Sequence, residues 1–552
     1  MAVAVAAPHP AAVEAAREVV ARGGNAFDAA LAAAGALAVA YPHQCSAGGD
    51  LVAIVRVGSA GGPLSPPAAG MPPAWASGAA EASPAPEAGG APRGAARGVW
   101  RGAAGGVPRG AAGRVSRGSE AGGAAGAPKA GGVPGAPEAD WGARGWPPEV
   151  AGMPRAVLSI GAAAAAVDGA GLRAAGDRMP FDGPQTITVP GVVAGWAAIA
   201  GFGARLTLSE LLAPAVRLAA EGVPFSPGLR RAIAYRIGAI RSDPGLSALL
   251  MRGDGRLVQP VLAETLTAIG ADWRSFYEGE LGRRLAEGLR KLGSPLVAAD
   301  LAAHRAEVVA PLTRTIGDVT WHAAPPPVQG PTFLAVVGAD DLLAASQRAR
   351  QARDALLGDP RTGPIELAAM LTPDPERSDS LPEEPKPTGD TVAVTAVDDD
   401  GNAVTLIQSV FESFGSGLLD PGTGLVLHNR GASFRLEPDH PGRIAPGSRP
   451  PHTLCPTMAL SAAAVLALGC QGGRNQPWIL AQVASEALDS ADLVGLLTRP
   501  RWYFEGAELI TEPGVDALDD DAGHLQVSRL RHGQLAAASD PRADGLGAVL
   551  GE

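Results

Sequence analysis

The stretch that most constrains this chain begins at Thr391. A polar, proline-rich run from Thr372 to Pro387 ends there, and the pattern changes abruptly. Val392, Val394 and Ala396 alternate with Thr391, Ala393, Thr395 and Val397, the period of two that marks a β-strand. Asp399-Asp400-Gly401-Asn402 reads as a turn carrying the Asp-Gly hairpin signal, and Ala403 to Gln408 as the returning strand. A threonine at the junction of a linker and a buried strand has a second use. A cut between Asp390 and Thr391 would leave a free α-amine beside the threonine hydroxyl, a nucleophile with a base built in. The plain alternative is that Asp-Thr merely starts a strand.

The chain has 552 residues, room for two or more domains or one large one. Its 74 glycines and 50 prolines approach a low-complexity composition, but the excess is local. From Gly58 to Gly152 the sequence is Gly, Ala, Pro and Arg with almost no large aliphatics, and a degenerate eight-residue repeat starts at Arg93, Arg101 and Arg109. Such a segment cannot bury enough apolar surface to offset its ordering entropy, so residues 58–152 are expected to be a disordered insertion. Arg-Gly repeats beside Trp100 also suit contact with RNA or an acidic surface. The net charge of −11 argues against that use for the chain as a whole.

Cys45, Cys455 and Cys470 are scattered and odd in number, which fits a reducing compartment better than a disulfide framework. Nine histidines form no HExxH and no close pair, so neither metal nor cofactor is expected. The N-terminus carries no basic n-region, and the apolar run Ala29 to Tyr41 is shorter than a membrane span. A soluble, cytoplasmic protein without membrane or nucleic-acid partners is the expectation.

Helices are predicted over Ala11–Ala21, stopped by Gly23-Gly24, and from Asn25 to about Ala40, with Asn25 as cap and Asp28 in the first turn. Leu51–Val57 reads as a strand. Leu211, Leu212, Val216 and Leu218 fit a further helix with Ser209 near its cap, and a helical pattern lies between Phe333 and Ala369. Near the C-terminus, Ala462–Leu468 reads as a strand and Gln476–Leu488 as a helix. Between them, Gly472-Gly473 can present two backbone N–H groups to one oxygen. From the residues alone the class is α+β with a C-terminal β-hairpin.

The run Pro8-His9-Pro10, Gly23-Gly24-Asn25-Ala26-Phe27-Asp28-Ala29-Ala30, Pro42-His43 and Gly48-Gly49-Asp50 resembles the opening of the γ-glutamyltransferases, or glutathione hydrolases. The resemblance breaks at the insertion and resumes at Ala156. It continues through Ile187–Trp196, Leu206–Pro227, Asp300–Pro311 and Ala324–Gly330. It implies a four-layer αββα sandwich of the N-terminal-nucleophile hydrolase superfamily. It further implies a large portion, 1–390, whose residues 371–390 form a linker before the cleavage point, and a small catalytic portion, 391–552, held together as a heterodimer after self-cleavage.

On that resemblance the roles fall as follows. Autoprocessing breaks the Asp390–Thr391 bond, and Thr391 then attacks a γ-glutamyl amide such as glutathione, passing the acyl group to water or an amino acid. Ser409 supplies a hydroxyl to the nucleophile, and Gly472 and Gly473 form the oxyanion hole. The substrate-recognition positions depart from the family pattern. Alanines stand near Leu158–Ala163 where an arginine is expected, Phe411 replaces an asparagine, Ser433 replaces an acid, and His452-Thr453 replaces a pair of serines. Arg430 is a new positive charge that could hold a substrate carboxylate, or be an ordinary surface or ion-paired arginine. The pattern resembles an acylase-like branch of the family. Action on non-glutamyl acyl amides therefore stays open, as does a catalytically inactive member serving as scaffold or binding protein.

Overall fold

The computed structural model describes residues 1–58, 152–374, 390–514 and 520–551. The Arg-Gly repeat and most of the linker before Thr391, where disorder is expected, lie outside these residues.

Two antiparallel sheets face each other. In the first, seven strands run in the order Leu546–Leu550, Val3–Ala7, Asp390–Asp398, Ala403–Phe411, Asp50–Arg56, Arg155–Ser159, Glu307–Val309. In the second, six strands run Gln534–Ser539, Leu525–Arg531, Ala464–Cys470, Thr457–Leu460, Val319–Ala323, Leu312–Ile316. Ala393, Ile407, Met458, Ala467 and Leu530 fill the space between the sheets. Helices Pro10–Ala21, Ala26–Ala40 and Leu208–Glu221 cover the outer face of the first sheet. Gly330–Val336, Gln476–Ala487 and Leu493–Thr498 cover the second. The architecture is the expected αββα sandwich.

The hairpin predicted from Thr391 lies in the middle of the first sheet, with the returning strand three residues longer than its alternation suggests. Every residue from Thr391 to Asp398 is buried. The alternation thus separates two cores, one toward the helices and one toward the second sheet, rather than core from water. Its threonines are satisfied inside: Thr395 Oγ1 and Ser528 Oγ share a hydrogen bond of 2.9 Å between the sheets.

Helix Ala26–Ala40 is buried along its whole length. Asn25 and Asp28 form a reciprocal capping box, and Asp28 also accepts from the backbone of Arg205 and Leu206. Its small residues allow close approach: a Cβ on Gly35 would meet Leu212 Cδ2 at 2.8 Å. Ser209 lies near the cap of helix Leu208–Glu221, as expected, and the cap itself is Thr207, which stands three residues before Glu210, whose carboxylate returns to the Thr207 N–H.

The described residues on either side of 59–151 meet on the sheet. Strands Asp50–Arg56 and Arg155–Ser159 pair directly, and Gly152 N donates to Val57 O at 2.9 Å.

Candidate active site

Three neighbouring strands bring Thr391, Ser409 and Asp50 side by side. In the ladder Thr391 pairs with Ser409, and Ser409 pairs with Asp50 on its other side. Thr391 Oγ1 donates to Ser409 Oγ at 3.1 Å, and both residues are buried. The hairpin thus delivers the two hydroxyls expected to meet.

Just past Ser409 the register slips, so that Phe411 rather than Val410 pairs with Asp390. Phe411 adopts φ 80°, rare for an aromatic residue, and its N–H turns back to Ser409 Oγ at 2.8 Å. The bulge re-aims the Phe411 ring, and the Arg430 guanidinium lies 4.2 Å from its centroid. The asparagine-to-phenylalanine departure and the new arginine therefore form one unit.

Arg430 is fully buried, not on the surface. It starts a short 3-10 turn, Arg430–Ser433. Its Nη1 donates to Thr453 Oγ1 at 2.9 Å and its Nη2 reaches Ser409 Oγ at 3.3 Å. Its Nε has no hydrogen-bond partner. Burial pulls its ionisation down to about 9, and Asp50 is the charge that opposes this shift. Ser433 Oγ lies within hydrogen-bond distance of the Arg430 and Pro451 carbonyls, so it serves the turn.

Asp50, from the Gly48-Gly49-Asp50 motif, is fully buried behind Ser409. Desolvation pushes its carboxyl up to about 7, against the pull of Arg430 and of the Gly161 N–H, which donates to it at 3.0 Å. His452 Nε2 lies 3.3 Å from Asp50 Oδ2, and His428 Nδ1 3.5 Å from the same oxygen. Burial holds both imidazoles far below their ordinary range, His428 at about 3. His452 thus faces Asp50, while its neighbour Thr453 faces Arg430. Sequence reasoning missed Asp50 and His428 as site residues; the signal was the Gly-Gly-Asp motif, used there only for the resemblance. The close packing explains that motif, since a Cβ on Gly49 would lie 2.2 Å from Ser409 O.

Gly472 and Gly473 follow strand Ala464–Cys470 with φ of 143° and 53°. A 3-10 turn, Gly473–Asn475, separates them from helix Gln476–Ala487, so they do not form that helix's first turn. Gly472 O accepts from Asn475 N at 2.8 Å. In a trans peptide the N–H points opposite to the carbonyl, so the Gly473 N–H is turned away from the helix. Gly473 O accepts from Gln329 Nε2 at 3.0 Å, and Gln329 also donates to Thr453 O. Among the described residues no group of three or more His, Cys, Asp or Glu is placed to hold a metal.

Two stacked antiparallel sheets between layers of helices are the fold of the N-terminal-nucleophile hydrolases. The solved structures agree: cephalosporin acylase from Bacillus halodurans superposes with a TM-score of 0.74 at 24% identity, covering 99% of this chain and 95% of that one. The gamma-glutamyltranspeptidase family model matches residues 12–79 and 151–550, so the chain belongs to that family. Among curated relatives, the oxamate amidohydrolase proenzyme of Klebsiella pneumoniae is 35% identical over 73% of this chain and 88% of its own length. A glutathione hydrolase-like proenzyme of Bacillus subtilis is 31% identical over 65% and 80%, respectively.

Proposed function

We propose that the protein is a self-processing amidohydrolase that uses Thr391 to cleave amides of small, anionic acyl groups. The observation that carries this reading is Arg430, a buried guanidinium placed over Phe411 and hydrogen-bonded to Ser409, the partner of the Thr391 hydroxyl, with its Nε–H unpartnered. An unpaired buried charge costs several kcal/mol, and an incoming carboxylate offsets that cost. A relative is named for oxamate, an amide whose acyl carbon bears a carboxylate.

The chemistry runs in two stages. In the precursor, Thr391 Oγ1 attacks the Asp390 carbonyl carbon. The Asp390–Thr391 C–N bond breaks, an ester forms, and the Thr391 amine is released. Water then hydrolyses the ester. In the mature enzyme, the Thr391 α-amine, with a reference pKa of about 7.7 to 8, takes the hydroxyl proton as Oγ1 attacks the substrate carbonyl. The N–H groups of Gly472 and Gly473 stabilise the oxyanion. The intermediate collapses, the leaving amine takes the proton from the Thr391 ammonium, and water hydrolyses the acyl-enzyme. The portions 1–390 and 391–552 stay together, because strand Val3–Ala7 is held between two strands of the small portion within one sheet.

γ-Glutamyl transfer, including glutathione hydrolysis, is the second reading; membership of the family and the glutathione hydrolase-like relative favour it. Against it stands Ser433, whose neutral hydroxyl serves the Arg430 and Pro451 carbonyls and offers no charge to an α-ammonium. The deciding experiment runs purified protein on a denaturing gel, then compares turnover of oxamate, a glutaryl anilide and a γ-glutamyl anilide. Self-cleavage before Thr391 with oxamate as the best substrate is expected. Wild-type protein that stays whole would overturn the enzyme reading, and preference for the γ-glutamyl anilide would overturn the substrate class.

A further inference from the structure

Gln329 has no part in the chemical steps above, yet its side chain is fully committed to hydrogen bonds. It is 1% exposed, and it precedes helix Gly330–Val336. Its amide nitrogen donates to Thr453 O and, at 3.0 Å, to Gly473 O. Its amide oxygen accepts from Arg353 Nη1 at 3.1 Å. Both amide hydrogens and the oxygen are thus used. Flipping the amide would set its oxygen against two carbonyls and its NH2 against a guanidinium, so only one orientation fits.

Arg353 extends the arrangement. It lies in helix Leu342–Leu356 and is 5% exposed. Nη1 also donates to Arg474 O at 2.7 Å, Nε donates to Asp354 at 2.8 Å, and the guanidinium lies 5.4 Å from the centroid of the Trp478 ring. Three successive carbonyls of the glycine turn are therefore tied back: Gly472 O by Asn475 N, Gly473 O by Gln329, Arg474 O by Arg353. Gly473 has a glycine's backbone freedom, and the peptide planes on both its sides are anchored.

We infer that Gln329, oriented by Arg353, is a positioning residue that presets the Gly472-Gly473 turn and holds it in register with the Arg430–Thr453 wall. Hydrogen bonds run from Thr391 through Ser409, Arg430 and Thr453, and Gln329 links the Thr453 backbone to the glycine turn. The wall that takes the acyl group and the turn that takes the oxyanion are thereby one unit. Electrostatic stabilisation of a transition state depends on donors fixed before charge develops, and a glycine pair cannot fix itself.

The catalytic part of this inference rests on the amidohydrolase reading; the mechanical part does not. Two measurements keep them apart. The first is amide hydrogen exchange of residues 471–475 in Gln329→Met, which keeps the volume but loses both donors and the acceptor. Exchange there is expected to speed up by about tenfold or more, with the central strands unchanged. Unchanged exchange in 471–475 would overturn the inference whatever the enzyme's substrate. The second is kinetic, with cleaved protein and oxamate. Gln329→Met is expected to lower kcat by about 10- to 100-fold, less than the loss of a whole oxyanion donor, with KM within about threefold. A boronic acid that mimics the tetrahedral intermediate should lose affinity in proportion to kcat, while the product carboxylate should not. Equal losses in kcat and product affinity would point to a collapsed pocket and overturn the positioning role. If Gln329→Met fails to fold, Arg353→Met, which removes the orienting donor from outside the site, should show the same pattern at smaller amplitude; wild-type exchange and kinetics in that variant would overturn the proposal.

Discussion

Thr391 and Ser409 face each other across an antiparallel pair, hydroxyl to hydroxyl at 3.1 Å, and immediately after Ser409 that ladder slips by one residue. The slip is what separates this site from an ordinary sheet. It turns the Phe411 N–H onto Ser409 Oγ and its ring under Arg430. A pair set by strand register therefore gains a cationic wall set by a bulge.

Replacing Thr391 with alanine should leave a single chain on a denaturing gel. Ser409→Ala keeps the nucleophile but removes its hydrogen-bond partner. Cleavage and turnover in that variant should slow by about 10- to 100-fold rather than stop, in line with the loss of about 1.5 to 3 kcal/mol for a bond in a charged network. Mass spectrometry of a time course checks both; a Thr391→Ala protein cut after residue 390 would contradict the assignment.

Arg430→Met should lower kcat/KM for oxamate by at least about 100-fold, since a buried charge-assisted pair is lost, while a neutral acyl amide of the same length is much less affected. Arg430→Lys should not restore the rate, because an ammonium cannot reproduce the guanidinium fork stacked on Phe411. Parallel steady-state assays on the two amides decide it; equal losses on both would remove Arg430 from substrate recognition.

Asp50 predicts a pH signature. Its carboxyl is raised from 3.8 to about 7 in the folded protein, so between those values the folded state binds the extra proton. Stability contributed by this group is full below about pH 4 and is lost as pH rises through 7. Asp50→Asn cannot ionise and escapes that loss. The melting temperature of Asp50→Asn minus that of wild type should therefore increase from pH 5 to pH 8. The buried neutral His428 and His452 act in the opposite direction in both proteins and cancel in the difference. A difference that is flat or falls with pH would refute the account.

Gly49→Ala should destabilise the protein by several kcal/mol, because its Cβ would lie 2.2 Å from the Ser409 carbonyl in the centre of the sheet. A denaturant melt measures it, and a change under about 0.5 kcal/mol, the range of surface substitutions, would show that the strand can yield there.

Joining Gly58 directly to Gly152 should preserve the fold and self-cleavage, since Val57 and Gly152 are already hydrogen-bonded neighbours at the end of a paired hairpin. Circular dichroism and the same gel test this; loss of cleavage with an intact melt would assign residues 59–151 a part in processing.

The hairpin at Thr391, the helices at 10–21 and 26–40 with the Asn25–Asp28 cap, and the Gly472-Gly473 turn were legible because each rests on local rules of periodicity, capping and turn chemistry. The site was legible in part. Thr391, Ser409 and the glycine pair stood out by position, and Arg430 as a misplaced charge. Asp50, His428, Gln329 and Arg353 did not, because nothing local marks a polar side chain as buried. Those four come from four separate stretches of chain, and only packing brings them to one place.

By itself, then, the sequence determined the element types, the strand that carries Thr391 and the family to which the chain belongs, since short-range patterns and spaced motifs encode these. Only the tertiary structure decided that both faces of that strand are buried, that Arg430 lies inside against Ser409, and that Gln329 ties the glycine turn to Thr453. The physical reason is that burial, register slips and long-range hydrogen bonds depend on which distant segments share the core, and no window of residues holds that information.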